Sequence, residues 1–552
     1  MKFKHVCLIL ACVMFVTSSW MSITNNVRGK LSQTESLFDI SNKVNRFYLM
    51  QTNFDDCILR NDCTNSTDYK YSYLQRSFLK DNLQTGKYIN DCKEVLNPQI
   101  SNYQYGRDDS ETTGIHDPIS IIGNENFTAE NGVTGGSGIA EDPYILEGWV
   151  IIGNSSTETG IFISNTTAIF VIRNCSISNF YSEDFYGINL DNVSAGRIEG
   201  VEAFKNYIGI KIRYSSFIDV ENCVCRDNYG VYATGIFVVR SHHIIITDCK
   251  CYRMRCSLSW IAADGIKLWG ASYCQIKNST CHSNSQYGID MILYEKEFPL
   301  QYNVVENCTI YKNECGGIVV SMCFGLPWKD FRDLRHGHNR ISDCIVYDNG
   351  HLNVPGIISA GPGIWLSEID DSIVENCVLY ENGIGVKITN SCNNHISNCT
   401  MYGHWQPPTC FGCGVFICDS GLLFGRIMRN NTIEHCDIFN QDVGFFSYSA
   451  IQTIIWDNNI YDHTYYGIYV DKTFTPSIGV IHGNNIYNNT EGNRFYALTF
   501  FDARNNWWGS SFGPSRWPGH FRGDVIWTRL VCICLRFPWA TKPFADAGVV
   551  YK

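Results

Sequence analysis

A four-residue unit, Gly-Ile-x-Ile, recurs along this chain and leaves it very few folds. It stands at Gly160-Ile161-Phe162-Ile163, Gly187-Ile188-Asn189-Leu190, Gly209-Ile210-Lys211-Ile212, Gly235-Ile236-Phe237-Val238, Gly265-Ile266-Lys267-Leu268 and Gly288-Ile289-Asp290-Met291. It continues at Gly317-Ile318-Val319-Val320, Gly363-Ile364-Trp365-Leu366, Gly385-Val386-Lys387-Ile388, Gly414-Val415-Phe416-Ile417, Gly444-Phe445-Phe446 and Gly467-Ile468-Tyr469-Val470. Most copies lie 22 to 30 residues apart, and the single long step, from Gly317 to Gly363, is 46. A fixed period of this size marks a solenoid. Apolar alternation within each copy is the period of a strand, not a helix. Strands this short cannot bury a face alone and must stack on the next copy.

A second unit interleaves with the first, at Asn174-Cys175-Ser176-Ile177, Glu221-Asn222-Cys223-Val224, Asn307-Cys308-Thr309-Ile310, Asn376-Cys377-Val378-Leu379 and Asn398-Cys399-Thr400-Met401. Asp248-Cys249, Asp343-Cys344 and His435-Cys436 are variants. Asn before Cys suits a left-handed turn residue that bonds its own backbone, and Gly before Ile suits positive φ at a corner. The expected fold is all-β: a right-handed parallel β-helix with caps at both ends, twelve copies giving a coil on the order of 55 Å long at strand spacing. The eight repeat cysteines read as a buried, reduced packing ladder, because free Cys is a small hydrophobe and stacked side chains running parallel give a poor disulfide torsion.

These repeats resemble those of right-handed β-helix proteins with the pectin-lyase-like fold, and most closely the NosD-like periplasmic copper-binding group. The glycine-rich run Asn131–Gly138, followed by Asp142-Pro143-Tyr144-Ile145-Leu146-Glu147-Gly148-Trp149, resembles the entry segment of archaeal cell-surface members. Asn505-Asn506-Trp507-Trp508-Gly509, with Gly513-Pro514 and Phe537-Pro538-Trp539, resembles their closing segment. The resemblance implies a coil over residues 115–545, including an entry cap at 115–150 and a Trp-rich closing cap at 503–545. It also implies carbohydrate-active relatives (lyases, hydrolases and uronate epimerases) and a copper-handling group.

Ahead of the coil, residues 1–20 carry Lys2 and Lys4, an apolar run from Val6 to Val16, and Thr17-Ser18-Ser19, the pattern of a secretory signal. Residues 21–114 are polar and lack the repeat, so they read as an arm or small cap. Cys57 and Cys63 are spaced to pair there, leaving Cys92 over. The expected location is secreted, at the cell surface or in a periplasm-like space, with no membrane span beyond the signal. A formal charge of −11 disfavours nucleic acid as a partner. Sequons at Asn65, Asn126 and Asn154 fall in loops and are candidate glycosylation sites.

The variable residue of each Gly-Ile-x-Ile unit should form a column along one face. Lys211, Lys267, Asp290, Trp365 and Lys387 are the candidate ligand-binding residues in it, Lys and Asp for carboxylates and hydroxyls, Trp for a sugar ring. A merely solvated face predicts the same column. Insertions at Ser321–Arg340 and Gly403–Cys413 should wall it, since solenoid insertions emerge on one face. The second insertion holds Cys410-Phe411-Gly412-Cys413, which with His404 and Cys418 could bind zinc or simply pack.

The favoured function is carbohydrate binding or display without catalysis. One alternative is a polysaccharide lyase, hydrolase or uronate epimerase, for which catalytic residues are not assigned. Asp290 lies one unit from Lys267, Asp264, just before a repeat glycine, reads as a turn residue, and Asp370-Asp371 are paired acids in a turn. Ca²⁺ is the cofactor a lyase would add. The other alternative is copper handling, against which nine unclustered Met and buried Cys count. No metal site is assigned.

Overall fold

The computed structural model describes residues 114–549, apart from 155–158, 257–262, 296, 323–336, 351–360, 406–410, 419–427, 449–450, 472–476, 496–498, 516–522, 529–532 and 536–537. The signal, the polar arm with Cys57, Cys63, Cys92 and Asn65, most of the Ser321–Arg340 insertion, and Cys410 lie outside the described residues.

The repeat folds as expected into a parallel β-helix. Three parallel sheets, A, B and C, hold 14, 16 and 15 strands, and each strand pairs with the one three places on in the chain. One turn runs through sheet B, sheet C and sheet A. Asp264–Trp269, Gln275–Lys277 and Thr280–His282 make one such turn. Beyond strands there are two short 3-10 turns, Asn124–Asn126 and Ala129–Asn131. Among the described residues no helix is long and apolar enough to cross a membrane.

The Gly-Ile-x-Ile units are the sheet B strands, and their isoleucines are fully buried: Ile188, Ile210, Ile236, Ile266, Ile289 and Ile318 all have no exposed surface. Each such side chain contributes about 1.5–3 kcal/mol by leaving water. The glycines do not work as expected. None of the twelve has positive φ. A Cβ at Gly209 would lie 2.6 Å from the Gly235 carbonyl oxygen and 3.0 Å from the Cys225 sulfur, and one at Gly265 would lie 2.5 Å from the Gly288 carbonyl oxygen. Glycine is required there by close approach of the next rung, not by dihedral angle.

The left-handed residues are instead those before the cysteines, with φ of 54° at Asn174, 52° at Asn222, 53° at Asn307 and 54° at Asn376. Their neighbours point inward. Cys175, Cys223, Cys249, Cys308, Cys344, Cys377, Cys399 and Cys436 are all free and buried, and Cys225, Cys251 and Cys281 form a second inward stack in sheet A. Cys308 donates to the Glu306 carbonyl at 3.3 Å. Burial pushes the Cys175 thiol up to about 11, which keeps it protonated and unreactive.

The interior also contains asparagine ladders. At the corner from sheet A to sheet B, Asn206, Asn228, Asn284, Asn313, Asn349 and Asn382 are fully buried. The Nδ2 of Asn284 donates to Asn313 Oδ1 at 2.9 Å, Asn313 to Asn349 at 2.9 Å, and Asn349 to Asn382 at 3.0 Å. The backbone N–H of each of these donors points to the same oxygen at 3.0–3.1 Å. At the corner from sheet C to sheet A, the cysteine column passes into Asn458, Asn484 and Asn506, bonded in the same manner. These ladders satisfy the backbone groups that a corner takes out of sheet pairing.

At the ends, Phe127 stacks on the Tyr144 ring at 4.6 Å and lies 5.9 Å from Phe170. Trp508 is wholly buried.

Replacing Asn313 by Ala strips Asn284 of its acceptor and is expected to cost about 2–4 kcal/mol, while Asn376→Gly, at an exposed left-handed corner, should cost no more than about 1 kcal/mol. Thermal unfolding of the two variants measures the difference. Native-state alkylation followed by mass mapping should label the half-buried Cys256 and Cys392 well before Cys223, Cys308 and Cys377. Fast labelling of Cys308 would contradict the ladder.

Candidate functional site

The outer face of sheet B is built differently from the other two. Between residues 155 and 498, the long steps between consecutive strands from Met322 to Arg340, Tyr347 to Pro362, Tyr402 to Cys413 and Cys418 to Thr432 each adjoin a sheet B strand. The sheet C to sheet A corner is instead a uniform tight turn, as at Glu221-Asn222-Cys223-Val224. The greatest added chain length within that span therefore falls beside sheet B strands.

The variable residues of the repeat do form one column. Asn189 pairs with Lys211, Lys211 with Phe237, Phe237 with Lys267, and Lys267 with Asp290. The column continues through Val319, Trp365, Lys387, Phe416, Phe446, Tyr469 and Arg494. All five candidate residues share this face. Their surroundings divide them. Lys211, Lys267 and Asp290 are buried, at 7%, 7% and 5% exposure, whereas Trp365 and Lys387 are half-buried.

Lys267 sits between two carboxylates. Its Nζ is 3.0 Å from Asp264 Oδ2 and 2.9 Å from Asp290 Oδ2. Asp264 is not at a turn, as its position before a glycine suggested, but is the first residue of the strand Asp264–Trp269. The backbone pairing skips the glycine, from Thr234↔Asp264 to Ile236↔Ile266. This irregularity sets the first residue on the same outer face as the fourth, which strict alternation forbids. Asp264 Oδ1 also accepts the Tyr287 N–H at 3.1 Å. Burial raises the Asp264 carboxyl to about 6 against the pull of Lys267. The cluster holds two carboxylates and one ammonium, so Lys267 has no charge to spare for an acidic sugar.

Lys211 is also occupied. It donates to the Tyr186 hydroxyl at 2.8 Å, and that hydroxyl bonds Asp184 Oδ1 at 2.8 Å. Burial, then the neighbouring Arg213, lowers the Lys211 ammonium to about 8. Arg213 itself holds Asp191 with two bonds, at 2.6 and 3.2 Å.

The later half of the column is aromatic. Trp365 Nε1 donates to Thr389 Oγ1 at 2.9 Å, which fixes the indole. Lys387 Nζ lies 4.5 Å from the Trp365 ring centroid and 6.0 Å from that of Phe416, within cation–π range. Phe416 and Phe446 lie 4.9 Å apart, as do Phe446 and Tyr469, each pair tilted by 39°. Phe411 and Tyr466 join this cluster outside the coil.

Sheet A carries a second aromatic column. Tyr252, His282, Tyr311, Tyr347, Tyr380, Tyr402, Phe439, Tyr461 and Tyr487 stack with centroids 4.7–5.2 Å apart and planes within 12°. Near-parallel rings cover one another's faces, so this stack offers a sugar only edges. Its signal was in the sequence: it occupies the third position after the cysteine, as in Cys308 to Tyr311 and Cys377 to Tyr380.

The zinc reading of the Gly403 insertion does not hold among the described residues. His404 is buried in the asparagine ladder, accepts the Asn382 N–H at 3.3 Å on Nδ1, and is pushed down to about 3 by burial. Cys413 and Cys418 end opposite sides of one strand. Asp370 and Asp371 are spent on corner bonds, to the Cys392 N–H and the Asn393 amide. No group of three His, Cys, Asp or Glu among the described residues is placed to hold a metal ion. Asn154 is exposed, and Asn126 is half-buried and donates to the Ile122 carbonyl at 2.5 Å.

A family model described as the right handed beta helix region matches residues 114–253, 232–328 and 254–423, more than half of the 552 residues. The chain belongs to the right-handed β-helix family. No curated protein matches it. Among solved structures, this β-helix is similar to the A-module of a mannuronan C-5 epimerase of Azotobacter vinelandii, at 14% identity over 65% of this chain and 83% of that one, with a TM-score of 0.37. A periplasmic alginate epimerase matches at 12% identity over 71% and 85%, TM-score 0.39. A Dettilon tailspike protein matches at 11% over 69% and 62%, TM-score 0.40. Such likeness does not carry chemistry from those proteins to this one.

The Asp264 carboxyl gives the β-helix a pH signature. Its folded value of about 6 exceeds the ordinary carboxyl value of 3.8, so the folded state binds a proton the unfolded chain has already released. The contribution is fully present below the unfolded value and is lost as pH rises through about 6. Stability measured from pH 4 to 7 should fall more steeply in the wild type than in Asp264→Asn, and equal slopes would contradict the buried cluster.

Proposed function

We propose that this β-helix is an extracellular or cell-surface protein that binds glycan along the outer face of sheet B. The observation that carries the reading is the half-buried run Trp365–Lys387–Phe416–Phe446, three rings and a lysine held in register on successive rungs. Sugar rings present apolar faces edged by hydroxyls, and they fit aromatic rings spaced along a flat sheet. The leader-like residues 1–20 support a place outside the cytoplasm. The sequons at Asn126 and Asn154 remain candidate glycosylation sites on that basis.

A second reading, a polysaccharide-active enzyme, draws on the Asp264–Lys267–Asp290 cluster. Buried carboxylates with displaced titration are common where acid–base chemistry is done. A buried structural ion cluster gives the same signature, and the aromatic run accounts for binding without it.

Trp365→Ala should weaken glycan binding by roughly 1–3 kcal/mol, the range for losing one aromatic anchor, as read by isothermal titration with the chain's best ligand from a glycan array. Unchanged affinity would leave the face a structural spacer. The enzyme reading requires turnover of a polysaccharide, such as ultraviolet-absorbing unsaturated ends from a uronan, that disappears in Asp290→Asn.

A further inference from the structure

We infer that the ligand of this face is an uncharged glycan and not a uronate or sulfated one; the inference rests on the glycan reading above. The argument is a charge census of sheet B's outer face. An acidic chain lying along the coil would place an anion every sugar or two over this column, and each needs a cation with capacity left. The described cations of the face are already engaged. Lys267 serves two carboxylates at 3.0 and 2.9 Å. Arg213 is clamped on Asp191 by two bonds. Lys211 is buried and donates to Tyr186, whose hydroxyl is tied to Asp184. Arg494 donates to the Tyr466 hydroxyl at 2.7 Å, and that hydroxyl bonds Glu491 at 2.5 Å. Lys387 lies against the Trp365 and Phe416 rings. Lys267, Arg213, Lys211, Arg494 and Lys387 are matched in number by Asp264, Asp290, Asp191, Asp184 and Glu491, so the face carries no net positive charge.

Binding an acidic sugar at Lys267 would therefore mean breaking ion pairs that are buried, which leaves a buried charge unpaired and is strongly unfavourable. A neutral sugar asks for none of this. It needs ring faces and a few hydroxyl partners, and the aromatic run supplies both. Its rings are tilted by 39° where the sheet A stack stays within 12°, so each shows part of its face outward. Thr389 Oγ1, half-buried beside the Trp365 indole whose N–H it accepts, supplies a neutral hydroxyl, and it is oriented by donating to the buried Ser367 Oγ at 3.0 Å.

The test measures binding of the full-length chain to neutral hexaoses (cello-, manno- and laminarihexaose) and to hexamers of galacturonate and mannuronate. Each is titrated at about 20 and about 300 mM sodium chloride, across which the Debye length shrinks several-fold. The expected result is binding of a neutral hexaose, with less than about a twofold change in Kd between the two salts and at least about a tenfold loss in Trp365→Ala. Phe416→Leu, which keeps the apolar volume and removes the ring, should give a loss of the same sign even if Trp365→Ala is poorly folded. Binding of a uronate hexamer that weakens steeply with salt and is lost in Trp365→Ala overturns the neutral-ligand inference while leaving the glycan face in place. Binding of neither class overturns both.

Discussion

Parallel pairing in register puts each residue over its counterpart one turn away, at about 4.8 Å, and most of this structure follows from that one distance. Like must tolerate like. Isoleucine over isoleucine packs, and thiol over thiol packs. Asn over Asn does more, because an amide carries both a donor and an acceptor and can pass a hydrogen bond along the coil, as from Asn284 to Asn382. Ring over ring stacks, as in the nine-ring column of sheet A. Charge over like charge is the one combination that the spacing penalises. Opposite charges accordingly stack at Glu147 under Arg173, Asp191 under Arg213, Lys267 under Asp290 and Lys277 under Glu306, and where Glu199 lies under Glu221 the nearby Arg197 forms ion pairs with both.

That constraint bears on how a charged candidate in a solenoid is judged. Lys267 with Asp290 looks in sequence like a base beside an acid. In the coil the pair is also what the spacing alone would select, and Asp264 completes it. A lysine there is evidence of rung-to-rung compensation before it is evidence of a ligand. Aromatic residues on sheet B are not bound by this rule in the same way. Their rings stand off parallel although a parallel stack was open to them, as sheet A demonstrates. Edge insertions supply the second distinction, since they fall beside sheet B and spare the sheet C to sheet A corner.

Much of the fold was legible because the covalent period and the spatial period are the same. Reading Gly-Ile-x-Ile gave the sheet B strands, their inward isoleucines and the outer column in correct order. Reading Asn-Cys gave the left-handed corner and the buried thiols. What escaped lay where that simple period slips. The asparagine ladder sits three residues before the glycine at Asn206–Gly209 but four at Asn284–Gly288, so no fixed motif marks it. The role of the glycines was misassigned because a close contact with the next rung leaves no mark on the local sequence that distinguishes it from a turn. Asp264 was misplaced for a related reason. Period-two reasoning sends residues one and four of a strand to opposite faces, and only the break at the glycine brings Asp264 and Lys267 together. The charges of the site were legible as a list, then, but their mutual neutralisation was not.

Stability and recognition are separable in such a coil. The cohesive contacts, isoleucine columns, thiols and asparagine ladders, are interior and repeat on almost every rung. The outer residue at the fourth position of a sheet B strand touches its two rung neighbours and the chain at the sheet edge, and little else. It runs through Asn, Lys, Phe, Asp, Val and Trp with the interior unaltered beneath it. Sequence variety over an invariant interior is what a recognition surface needs, and it is also what neutral drift leaves on a surface with no role. The two differ in geometry. Drift has no reason to hold an indole by a hydrogen bond to Thr389, or to place a lysine between two rings on neighbouring rungs. Those features fall together from Trp365 to Phe446, and they are the ground on which that part of sheet B, and not the buried Lys267 cluster, is proposed as the ligand face.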